Sequence, residues 1–145
     1  MKKAAAIAAL LFASSAAHAT DWYNVGGNQR TQTYVDADSI RQIGDKTQVW
    51  SWSVYAQPLH DGQTYSARIK SEYDCAASYF RTLEYVYFGP NAKYLKTEAS
   101  ETINERKYPA PDSINESLMA FVCKRVGGTK APNPLDHAAG QFASN

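Results

Sequence analysis

Two cysteines are present in the 145 residues, and their placement constrains the fold more than any other feature. Cys75 lies in Tyr73-Asp74-Cys75-Ala76-Ala77, just ahead of the aromatic and β-branched run Tyr79 to Phe88. That run reads as a strand with apolar groups on both faces, central in a sheet. Cys123 lies at the far end of the one convincing helical pattern. In an exported chain two cysteines are most simply one disulfide, which here fixes the helix against the sheet. The enclosed loop of roughly 50 residues corresponds to about 4 kcal/mol in the chain-entropy description. Metal-thiolate or catalytic use is disfavoured by the wide separation of the cysteines and by the absence of clustered histidines.

Export is read from the first residues. Lys2 and Lys3 form a positive n-region, Ala4 to Ala13 an apolar h-region, and Ala17-His18-Ala19 a small-x-small cleavage motif, so residues 1–19 read as a signal peptide. The apolar run is too short to span a bilayer. No cysteine stands at the cleavage point, so neither a membrane span nor a lipid anchor is expected, and the product is placed in the periplasm or beyond the cell. Cleavage removes two of the 15 basic groups and none of the 14 acidic ones. The remaining near-neutral chain, with its cations scattered, lacks the basic patch that a nucleic-acid partner requires. Roughly 125 residues suffice for one domain with a single core.

The strands follow from alternation and turn chemistry. Trp22 to Val25 and Thr31 to Asp36 are short strands about Gly26-Gly27-Asn28, and Asp36 to Arg41 reads as one helical turn that sets Ile40 against the core. Lys46 to Gln57 alternates Trp50, Trp52 and Val54 against Ser51, Ser53 and Tyr55. After the Asp61-Gly62 turn, Tyr65, Ala67, Ile69, Ser71 and Tyr73 oppose Ser66, Arg68, Lys70, Glu72 and Asp74. A buried row of unpaired charges would be far too costly, so that charged face is expected to be wet or at an edge. Tyr79 to Phe88 follows, and Lys93 to Ala99 is a shorter, more polar edge strand. Ser100 to Tyr108 is left open between helix and coil.

The helix starts at a capping box, Ser113 with Glu116 three residues on. Ile114, Leu118, Phe121 and Val122 form its apolar stripe, and Gly127-Gly128 is expected to stop it. The predicted fold is therefore α+β: a six-stranded antiparallel meander with one C-terminal helix packed on a face and tethered by the disulfide. The domain spans residues 20–126. Residues 127–145, with two prolines and little apolar periodicity, are expected to be a flexible tail.

Catalysis has no evident apparatus. His60 beside Asp61 reads as a solvated turn, His137 as part of the tail, and Asp36 with Asp38 as local caps. No metal-ligand spacing or phosphate loop is present, so no enzyme and no cofactor is expected. The positive signal is aromatic. All ten tyrosines and all three tryptophans fall between Trp22 and Tyr108, more than a core of this size needs to bury. Tyr and Trp are the residues enriched in binding interfaces. Tyr55, His60, Asp61, Tyr79, Tyr85 and Tyr87 form the candidate binding surface. A protein, including a second copy of the chain, is the expected partner. A small flat ligand such as haem, held between helix and sheet, is the alternative.

Asp21-Trp22-Tyr23, Tyr34-Val35-Asp36-Ala37-Asp38-Ser39-Ile40 followed by Gly44, and Val49-Trp50 appear in an order with a counterpart elsewhere. So do Glu72-Tyr73-Asp74-Cys75 leading to Tyr79-Phe80-Arg81, and Pro109-Ala110-Pro111-Asp112-Ser113 followed by the helix to Cys123. This arrangement resembles the surface-adhesin protein E family. The resemblance implies a six-stranded antiparallel sheet with a C-terminal helix tethered by the cysteine pair. It also implies adhesion, the namesake being a surface lipoprotein that engages host plasma and matrix proteins.

Overall fold

The computed structural model describes residues 20–144, and the expected signal peptide lies outside them. Eight strands form one antiparallel sheet: β1 (Trp22–Gly27), β2 (Thr31–Asp36), β3 (Arg41–Ile43), β4 (Lys46–Tyr55), β5 (Ser66–Asp74), β6 (Tyr79–Phe88), β7 (Tyr94–Ala99) and β8 (Thr129–Lys130). Their order is β7-β6-β5-β4-β2-β1-β8, with β3 also paired to β4. The six expected strands are present as a meander. The two additional ones are short: β3 continues the line of β2 along β4 after a 3₁₀ turn at Ala37–Ser39, and β8 adds to the outside of β1. Asp36 caps that turn by accepting from Asp38 N–H, and Ile40 packs against the core as expected.

Two helices, α1 (Ile114–Lys124) and α2 (Pro134–Ala143), cover opposite faces of the sheet. Alternation on the strands supplies both cores. Val35, Val49, Tyr73 and Phe80 meet Leu118, Phe121 and Val122 of α1. On the other face Trp22, Tyr34, Trp52 and Val54 meet Ala131 and Ala138, with Leu135 and Phe142 alongside. The Cys75–Cys123 disulfide joins the turn after β5 to the last turn of α1.

At the start of α1, Ser113 accepts from Glu116 N–H, while Glu116 Oε2 accepts from Asp112 N–H at 2.8 Å, one residue earlier than in a reciprocal capping box. At its end the left-handed residue is Arg125 (φ 55°), not a glycine. Gly128 has a different task. A Cβ there would stand 2.8 Å from the Phe121 ring, so glycine lets the chain leave the helix closely over its core side chain.

Three expectations are corrected. Residues 127–145 do not form a loose tail among the described residues: β8 pairs with β1, and α2 buries Pro134 and Ala138. Asn133 accepts from Asp136 N–H and Pro134 opens the helix, a cap and first turn suited to helix initiation. His137 is not solvated on its own, for its Nδ1 lies 2.9 Å from the Tyr34 hydroxyl. β6 is not central, since only β7 lies beyond it. Finally, β5 is an interior strand whose charged face is partnered rather than at an edge. Glu72 pairs with Arg81 of β6, Asp74 with Lys46 of β4 at 3.1 Å, and Arg68 lies among aromatic rings.

Candidate binding surface

α1 covers only the end of its face nearest the disulfide, because the Cys75–Cys123 bond and the contacts to Tyr73 and Phe80 hold it there. The rest of that face is open. Pairing of Ser53 with Ala67, Ala67 with Tyr87 and Ile69 with Tyr85 places these residues side by side, and Tyr55 extends the row from β4. Tyr85 and Tyr87 stack with ring centroids 5.7 Å apart and planes 5° from parallel. Ala67, only 1% exposed, forms the low floor beside them.

The rim beyond Tyr87 is charged. Lys96 Nζ lies 5.2 Å from the Tyr87 ring and 3.2 Å from Glu98 Oε2. Burial, then the hydrogen bond to Glu98, pushes the Tyr87 phenol well above the ordinary tyrosine range. Burial raises Tyr55 as well, with neighbouring Tyr85 adding to the effect. Tyr55 and Tyr87 thus remain neutral at any physiological pH, presenting an apolar ring and an O–H tip together.

Between this row and the start of α1 the floor turns to hydroxyls. Thr33, Ser51, Ser53, Ser71 and Thr82 are all buried, and they line a cleft of about 230 Å³ with Tyr85 and Asn115. Ser51 donates to the Ile69 carbonyl at 3.4 Å. Short hydroxylated side chains on an otherwise apolar face leave room rather than fill it, so the cleft suits water or a small polar group. Ser51 and Ser53, sharing a face with Tyr55, were the sequence signal for it.

Of the predicted surface residues, Tyr55, Tyr85 and Tyr87 come together here. His60 and Asp61 lie on the exposed β4–β5 loop, where His60, Leu59 and Tyr55 line a second open cleft. Tyr79 does not join them. It is 6% exposed at the disulfide end of β6, beside Tyr108 and under Arg106, whose guanidinium is 4.8 Å from its ring. Lys96, Glu98 and the hydroxyl floor were not anticipated.

Asp61 organises its loop by accepting from the N–H groups of Gln63 and Thr64 and from the Thr64 hydroxyl. The Thr64 hydroxyl first, then those backbone donors, pull its carboxyl down to about 2. A carboxyl depressed on folding stabilises fully above its unfolded pKa of about 4, and this contribution is lost as pH falls through the folded value. Asp61→Ala is therefore expected to melt below the wild type at pH 6, with the difference shrinking between pH 4 and pH 2. Thermal melts across that range check it, and a constant difference would refute it.

Among the described residues no group of His, Cys, Asp or Glu is arranged to hold a metal ion, and no helix is long and apolar enough to cross a membrane. The fold and this face define a disulfide-tethered α+β domain with a partly buried aromatic row on its open sheet face. The family model for surface-adhesin protein E matches residues 22–124, and the chain belongs to that family. The family implies an exported or surface protein with a non-enzymatic, adhesin-like role. Strand β8 and helix α2 lie beyond the matched span. No curated protein and no solved structure matches the chain.

Proposed function

We propose that this chain is an exported binding module that captures a protein partner, with host plasma and matrix proteins the leading class. The uncovered half of the α1 face is its contact surface. The observation that carries the proposal is the row Tyr55, Tyr85 and Tyr87, left only partly buried beside a low Ala67 floor while α1 is held at the other end of the sheet. Rigid tyrosines on paired strands give contact area at little entropic expense, and the Lys96–Glu98 rim supplies polar orientation. The loop carrying His60 and Asp61 extends the same surface through Tyr55.

The double variant Tyr85→Ala/Tyr87→Ala tests it. Both side chains are partly buried and neither belongs to either core cluster, so the variant is expected to stay folded by circular dichroism. Capture of immobilised plasma and matrix proteins is expected to fall about 30-fold or more, the loss of one hot spot of about 2 kcal/mol. Unchanged capture by a folded variant would refute this surface.

A second reading, a small ligand held between α1 and the sheet, is favoured by the hydroxyl-floored cleft. Thermal shifts with neutral polyols test it and a flat response would remove it; at about 230 Å³ with a hydroxyl floor, the cleft favours such a polar ligand over haem.

A further inference from the structure

The opposite face of the sheet carries an arginine that has no hydrogen-bond or ion-pair partner among the described residues. Arg68 projects from interior strand β5 into a box of three rings, its guanidinium carbon 4.6 Å from the Trp52 centroid, 5.4 Å from Trp22 and 5.6 Å from Phe88. Its Nε–H is buried and makes no hydrogen bond. Other charges on this face have opposites at hand: Glu72 holds Arg81, Asp74 holds Lys46, and Lys70 lies across from Glu84 in register. Among the described residues Arg68 has no ion pair. The carboxylate that influences it is Asp36, whose Oδ1 accepts from Asp38 N–H at 3.1 Å.

Ring contacts stabilise a guanidinium from its faces, but they leave its in-plane donors unused. Those donors form a planar fork that matches a carboxylate. Arg68 forms part of the wall of a pocket of about 210 Å³, together with Asp36, Trp50, Val86 and Phe88. Trp50, Val86 and Phe88 make most of that wall apolar, and the volume is below that of a drug-sized site. A dianion such as phosphate has no apolar part to set against that wall and loses more hydration than a single carboxylate on entering it.

We propose that Arg68 and this pocket bind a small monocarboxylate with a flat apolar body, the carboxylate on the guanidinium fork and the body against Trp50 and Phe88. The site is on the face opposite the tyrosine row, so it stands or falls independently of the proposed function.

Benzoate is the probe, with benzamide as its neutral isostere and inorganic phosphate as the dianion. The indole N–H signals of Trp22, Trp50 and Trp52 are followed by ¹H–¹⁵N NMR at constant ionic strength. Benzoate is expected to shift them saturably, with benzamide and phosphate weaker by about tenfold or more, as loss of a charge-assisted pair requires. Arg68→Met, which keeps the stem, is expected to abolish the saturable response while preserving the folded spectrum. Equal response to benzoate and benzamide, tighter binding of phosphate, no saturable shift, or undiminished binding by folded Arg68→Met would each overturn the proposal. If Arg68→Met does not fold, Trp50→Ala takes its place: weakened benzoate binding supports the site, and unchanged binding overturns it.

Discussion

Replacing both cysteines, as Cys75→Ala/Cys123→Ala, is expected to lower the melting temperature by about 15 °C, the effect of about 4 kcal/mol on a domain of this size. The bond closes a loop across a sequence separation of 48 residues, and releasing it frees the unfolded chain to explore far more conformations. It also acts at one place in the folded state. The first turn of α1 is anchored by the Ser113 cap and Ile114, but its last turn relies on Phe121, Val122 and the disulfide. Without the tether that end is expected to fray first, exposing Val35, Val49, Tyr73 and Phe80. Thermal melts of the double variant, and of wild type with and without reductant, measure the effect. A shift of less than about 5 °C would mean that packing alone seats the helix.

Removing residues 129–145 is expected to destabilise the domain comparably, by about 4 kcal/mol, from the loss of two large apolar side chains at about 2 kcal/mol each. The pair is Leu135 and Phe142, which pack with Ala138 over Trp22, Tyr34, Trp52 and Val54. Truncation would also remove His137, which bonds the Tyr34 hydroxyl, and open to water the face whose burial raises the Tyr34 pKa to about 12. The readouts are a lower melting temperature and a red shift of tryptophan emission as Trp22 and Trp52 become wet. Unchanged emission and melting would show that α2 contributes nothing to this core.

Strand positions were legible because each expected strand carries its own alternation and turn chemistry. Thr31–Asp36 and Tyr79–Phe88 fall on the predicted residues. α1 was legible from its cap and stripe. The segment forming α2 reads as a tail because its apolar stripe, Leu135, Ala138 and Phe142, holds only two large side chains and is surrounded by small residues. That stripe is buried against Trp22, Tyr34 and Trp52, which lie far from it in the sequence. Asn133, Pro134 and Asp136 carry the start signal, and Leu135, Ala138 and Phe142 the short stripe that follows it.

The candidate surface was half legible. Alternation puts Tyr55, Tyr85 and Tyr87 on strand faces, but which part of a face stays open depends on where α1 stops. Tyr79 looked equivalent to them, yet Arg106 and Tyr108, from a segment left undecided between helix and coil, cover it. Arg68 looked like one more solvated charge because the rings around it come from β1, β4 and β6.

Hydrogen exchange of the chain, free and bound to a captured plasma or matrix protein, tests the binding surface most directly. Protection is predicted on β6 and β7 around Tyr85, Tyr87 and Lys96 and on the loop from Tyr55 to Asp61, with the outer surfaces of α1 and α2 unchanged. Protection confined to α2 or to the outer surface of α1, with β6 and β7 exchanging as in the free chain, would contradict it.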